Sequence, residues 1–112
     1  MKVAIVGSRI SDCVTEEEII RHIPTGCSAV ISGGAIGVDS LAAQAAEALQ
    51  LPIIVIRPNY DRYGKAAPII RNQEIVRQAD FVLAFWDGES KGTQSVLVEC
   101  IKTGKPFQVL SL

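Results

Sequence analysis

The chain has 112 residues, 48% apolar and 21% charged, with 11 basic side chains against 12 acidic ones. That length suits one domain burying roughly two-thirds of its unfolded surface in a single core, and it is too short for two. A formal net charge of −1 excludes the broad basic footprint of a protein that holds nucleic acid mainly through its phosphates, while leaving room for a small basic groove. Cys13, Cys27 and Cys100 are odd in number and fit no metal-ligand spacing, so they read as reduced thiols and no metal is expected. No signal-type run and no apolar stretch of the ~20 residues that a membrane helix needs occurs, so the expected location is the cytoplasm, with no membrane partner.

Residues 2–6 form a short β-branched run ending at Gly7, the pattern of a strand buried on both faces. Thr15 with Glu18 three residues on is a capping-box spacing, and Glu16–Glu18 and then Arg21 and His22 complement the dipole of a helix running to about Ile23. Residues 28–32 repeat the strand-then-glycine pattern, followed by an alanine-rich helix over 38–50 with Leu41, Ala45 and Leu49 on one face. A third strand is expected over 52–56 and a polar loop over 57–65 that holds both tyrosines. Pro68 opens a helix with Ile69, Asn72, Val76 and Ala79 along its inner stripe. A fourth strand over 80–86, a glycine-containing loop over 87–92, a helix over 93–103 stopped by Gly104 and a last strand over 106–110 complete the chain. Phe81, Phe85 and Phe107 fall in strands and are expected in the core.

Strict alternation of strands and helices implies right-handed crossovers and an α/β fold: a three-layer, doubly wound, parallel five-stranded Rossmann-like sheet in the order 3-2-1-4-5, with one domain over 1–112. Ligands of such sheets bind beyond the carboxyl ends of the strands where strand order reverses, here between the first and fourth. Three loops converge there: Gly7-Ser8-Arg9, then Ser32-Gly33-Gly34-Ala35-Ile36-Gly37-Val38-Asp39, then Asp87-Gly88-Glu89-Ser90-Lys91-Gly92-Thr93. Two of them run into helix N-termini, whose free amides and dipole attract an anion, and glycines let a phosphate approach the backbone. The competing account is that these glycines serve only tight turns; finding two such loops facing each other weighs against it. The absence of GxGxxG after the first strand argues against a dinucleotide-dependent dehydrogenase, and the absence of a lysine-bearing P-loop against triphosphate hydrolysis. No cofactor is called for.

Gly7-Ser8-Arg9, the Ser32–Asp39 segment, Arg71-Asn72, Asp80, Gly92-Thr93 and Gly104-Lys105-Pro106 together resemble the SLOG superfamily of Rossmann-like domains, nearest the core domain of the DprA (Smf) DNA-processing proteins and the small YspA-like group. The resemblance spans essentially the whole chain. It implies binding of nucleotide-derived ligands, single-strand DNA binding of the DprA kind or phosphoribohydrolase chemistry of the LOG kind, and pairing into a homodimer. The glutamate of the LOG-type motif PGGxGTxxE falls on Val96, so a glycosidic enzyme would have to use Asp39, Asp87 or Glu89. Glu99 is about 9 Å of helix beyond Thr93 and is expected to pair with Lys102.

The leading expectation is a domain that binds a nucleotide or nucleotide derivative, with the phosphate on the amides of Gly33–Gly37 and Ser90–Thr93. Arg9 and Arg71 supply countercharge, Asp39 meets a ribose or base, and Tyr60 or Tyr63 covers the base. Each has a plainer alternative: Arg9 solvated, Asp39 a dipole partner, Tyr60 and Trp86 packed under loops. Asn72 on an inward stripe needs a polar partner, either a ligand or a loop. Thr93 can cap its helix and touch a phosphate at once. The alternatives are a DprA-like module for single-stranded DNA, supported by Arg57, Arg62 and Lys65 beside the tyrosines, and the LOG-like enzyme. No catalytic residue is assigned.

Overall fold

Among the described residues, 1–9 and 13–112 of this computed structural model, five strands form one parallel sheet. They are β1 (Lys2–Gly7), β2 (Ala29–Ser32), β3 (Ile53–Val55), β4 (Phe81–Trp86) and β5 (Phe107–Ser111), in the order β3-β2-β1-β4-β5. The expected α/β Rossmann-like topology is the one observed. In β1, Val3 and Ile5 face one half of the core with Val38 and Ala42, while Ala4 and Val6 face the other with Ile75 and Val96. This alternation explains why the strand sequence is apolar throughout: both faces are covered.

Helices α1 (Glu16–His22) and α2 (Val38–Ala48) cover the first face; α4 (Ala67–Gln78) and α5 (Lys91–Thr103) cover the second. The Thr15 hydroxyl accepts the Glu18 amide at 3.2 Å, as the capping spacing predicts. The inner face of α2 is Val38, Ala42, Ala45 and Ala46; Leu41 is only partly buried and Leu49 turns to solvent, so the expected stripe is rotated about one position. Alanine is what allows this helix to lie close to the sheet. The 57–65 segment is not all loop. Asn59 accepts the Arg62 amide at 3.1 Å and starts a single turn, α3 (Tyr60–Tyr63), followed by a 3-10 turn over Gly64–Ala66.

Helix α4 buries Asn72, Ile75 and Val76 but leaves Ile69 55% exposed, so Ile69 is not on the inner stripe. Helix α5 begins two residues earlier than predicted because Ser90 already accepts the first helical bond, from Gln94. It ends where Gly104 turns left-handed, φ 72°. Cys100 lies inside α5, fully buried, and burial pushes its thiol up to about 11. Phe85 is in the core, whereas Phe107, on edge strand β5, is exposed. Glu99 and Lys102 do not meet; the ion pair among the described residues joins Glu74 and Arg77 on α4.

Leu83→Ala, at a fully buried central-strand position, should cost about 2–5 kcal/mol. Ile69→Ala should stay within about 0.5 kcal/mol. Urea unfolding measures both; equal losses would return Ile69 to the core.

Candidate functional site

Between the carboxyl ends of β1 and β4 the crossovers part to opposite faces, and the gap is a crevice of about 390 Å³. Gly7, Ser8 and Arg9 enter it from β1, Gly33, Ala35 and Asp39 from the β2–α2 connection, Arg71 and Asn72 from α4, and Asp87, Ser90, Gly92 and Thr93 from the β4–α5 side. Close approach builds it: a Cβ on Gly7 would stand 2.6 Å from the Phe85 carbonyl oxygen, and one on Gly37 2.3 Å from the Arg9 carbonyl oxygen. Gly37 also has φ 78°, which other residues rarely adopt.

The two glycine loops are not equivalent. In the first, the protein supplies its own anion. Asp39, 8% exposed, accepts the Ala35 amide at 3.0 Å, and the Arg71 guanidinium approaches from the other side, donating to the Gly33 carbonyl at 3.0 Å. The Ser32 hydroxyl, buried beneath, accepts the Gly34 amide at 3.1 Å. The expectation of phosphate on the Gly33–Gly37 amides therefore meets a carboxylate already holding part of that loop. Burial raises the Asp39 carboxyl above its ordinary value, opposed by the Ala35 amide, Arg71 and Gly33 in that order. Burial likewise lowers the Arg71 guanidinium, with Asp39 and Tyr60 acting the other way and Arg9 in the same direction.

The second loop is open. Asp87 accepts the amides of Glu89 and Ser90 at 2.9 and 2.8 Å, which fixes the turn and, with the nearby Ser8 hydroxyl contributing less, lowers its carboxyl below the ordinary value. The following amides of Lys91, Gly92 and Thr93, at the head of a 13-residue helix, have no partner among the described residues. Ser90 makes no side-chain cap; its hydroxyl lies 3.4 Å from that of Thr93. Ser8, 2% exposed, has a hydroxyl that bears on the Asp87 carboxyl but completes no hydrogen bond of normal geometry among the described residues. A buried hydroxyl in that state carries a desolvation cost that an incoming acceptor would relieve.

Ser32, Gly34, Gly37, Tyr60 and Gly88 lie outside the crevice wall. Gly34 faces Val55 and Arg57 rather than the gap, and Gly88, φ 83°, only shapes the turn. Tyr60 stands 59% exposed on α3, beside Tyr63, over whose ring Arg62 lies at 5.2 Å. Trp86 donates its ring N–H to the Ser90 carbonyl at 3.0 Å, bracing the loop from below. Sequence reasoning missed Val6, Pro68, Ile75 and Val96 as crevice walls. The seven-residue interval from Pro68 to Ile75, two helical turns, was the signal available. Val96, at the position of the LOG-type glutamate, offers no proton-transfer group. Among the described residues no cluster of three His, Cys, Asp or Glu side chains gathers to hold a metal.

No family model and no curated protein matches the chain. Solved structures similar to this chain include two DNA-processing proteins. One is DNA processing protein A from Helicobacter pylori, described for its single-stranded DNA binding mode, with TM-score 0.78, 23% identity, and coverage of 100% of this chain and 66% of that one. The other is DprA from Streptococcus pneumoniae, with TM-score 0.75, 21% identity, and coverage of 96% of this chain and 49% of that one. The chain thus has the Rossmann-like core architecture of DprA and spans under two-thirds of the first protein's length and about half of the second's.

The two crevice carboxylates should leave opposite pH signatures. A raised folded value means Asp39 contributes stability that is present below its ordinary value of 3.8 and lost as pH rises through the folded value. Asp87, lowered from 3.8, contributes stability that is present above that value and lost as pH falls through the folded one. Unfolding across a pH series should show wild type losing stability relative to Asp39→Asn on the way up, and relative to Asp87→Asn on the way down. A pH-independent difference in either comparison would contradict the assignment.

Proposed function

We propose that this domain binds single-stranded DNA, seating one backbone phosphate at the head of α5 and laying a neighbouring base over α3. The observation that carries the proposal is the open anion site: three first-turn amides and a Ser8 hydroxyl that complete no hydrogen bond among the described residues, and the Thr93 hydroxyl, with Arg9 and Arg71 in the same crevice wall. The crevice volume of about 390 Å³ is at the small-ligand scale. Tyr60 and the Arg62–Tyr63 stack stand outside it, where a ligand longer than one nucleotide reaches them. Exposed aromatics beside a basic group are what unspecific base stacking uses. The shared core with a protein described for single-stranded DNA binding favours the polymer. A free nucleotide is the second reading, favoured by the net charge of −1.

Fluorescence anisotropy with labelled oligothymidylate, against thymidine monophosphate as competitor, tests this. With one or two phosphates held, the slope of log K against log salt should be about −0.7 to −1.4. Tyr60→Ala should weaken the oligomer by about 1–3 kcal/mol and leave the mononucleotide unchanged. Gly92→Ala, whose new methyl group meets nothing within 4 Å, should keep the melting temperature and weaken both ligands about tenfold by standing where the anion docks. Equal affinity for the two ligands would select the second reading, and binding of neither would overturn both.

A further inference from the structure

The two sides of the crevice are joined through α4. Arg71 donates through Nη1 to the Gly33 carbonyl at 3.0 Å and through Nε to Asn72 Oδ1 at 2.9 Å; Asn72 Nδ2 in turn donates to the Gly92 carbonyl at 3.4 Å. The chain of bonds runs from the β2–α2 loop, over the carboxyl edge of the sheet, to the first turn of α5. Its two ends line opposite walls of the same crevice. Helix α4 packs beside α5 on one face of the sheet, whereas the β2–α2 loop leads to the other face. Among the described residues Arg71 is the side chain of α4 that hydrogen-bonds that loop.

Asn72 is 6% exposed and shares the buried side of α4 with Ile75 and Val76. An aliphatic side chain there would satisfy the core at no polar cost. Asn is suited because one amide group accepts from Arg71 and donates to Gly92, and both functions are used. The guanidinium is planar with donors on separate nitrogens, so Nε and Nη1 reach partners on different elements at once in a fixed geometry, whereas a lysine offers all its donors from one nitrogen. Arg71 also acts through space on Asp39, the carboxylate that holds Ala35.

We propose that Arg71 and Asn72 form a strut that sets the spacing between the β2–α2 loop and the head of α5, making Asn72 a positioning residue for the ligand. The consequence for ligand rests on the anion site proposed above; the strut itself does not. Its mark is reach: losing both bonds of the Asn72 amide is felt at Gly34 and Ala35 as well as at the head of α5.

Amide hydrogen exchange on the ligand-free protein tests the strut, with oligothymidylate anisotropy run in parallel. Asn72→Leu removes both bonds with an apolar side chain of similar size. It should speed exchange at least tenfold at Gly34 and Ala35 as well as at Gln94, with the amides of β1 and β4 unchanged, and weaken the oligomer at least tenfold. Asn72→Asp keeps the acceptor for Arg71 and loses the donor to Gly92, so it should loosen Gln94 while Gly34 and Ala35 stay protected. Arg71→Lys should loosen Gly34 and Ala35. Faster exchange confined to α5 in Asn72→Leu, or intact affinity in a variant whose loops have both loosened, overturns the proposal. If wild type binds no oligomer, the DNA reading fails and the exchange pattern alone decides the strut.

Discussion

The candidate site of this molecule depends on where strand order reverses in a parallel sheet, between β1 and β4. The crossovers from β1 and β2 wind to one face and those from β3 and β4 to the other, so the chain ends of β1 and β4 have no connection covering them. That gap exists for topological reasons before any side chain is chosen. Side chains then decide its depth and charge. Gly7 lets β1 press against the Phe85 carbonyl, and Gly37 lets α2 begin against the Arg9 backbone. Bulk at either position would push the walls apart.

Two helices begin at this gap, and their equivalence in the sequence hides a division of labour. In front of α2, Asp39 holds the Ala35 amide and the Ser8 carbonyl accepts the Val38 amide, with Arg71 offsetting the carboxylate charge, so that end behaves as a finished piece of polar interior. The head of α5 is left unfinished, with amides and hydroxyls turned toward the space. A buried carboxylate that satisfies loop amides makes a rigid wall, and a rigid wall opposite an open donor set is the arrangement that favours preorganised binding.

The architecture was legible in the sequence because strands buried on both faces and helices with one apolar side leave unmistakable periods, and the capping signals at Thr15 and Gly104 fixed ends that periodicity alone blurs. What was misjudged has physical reasons. Ile69 is apolar and falls at helical spacing, but it sits one turn too early to reach the sheet. The stripe of α2 was assigned by its leucines, whereas contact with the sheet is made by its alanines. The polar segment 57–65 lacks any stripe, so its single turn is set by the Asn59 cap rather than by burial. Of the site, the glycines were readable because they mark strand-to-helix turns. Which turn keeps its amides free was not, since the decisive partner of the first loop, Asp39, reads equally as a dipole complement or a ligand contact. The bridge through Asn72 was signalled only as a polar residue on an inward face.

Cys100 has a bearing on how the helix above it can be watched. Its thiol is sealed on the underside of α5 and is held protonated well past neutral pH, so an alkylating reagent meets it only when that helix lifts from the sheet. Cys13, exposed, reacts from the outset and serves as an internal reference. The ratio of the two labelling rates is a clock for α5 opening, and any molecule that settles on the helix head should slow it without touching sulfur.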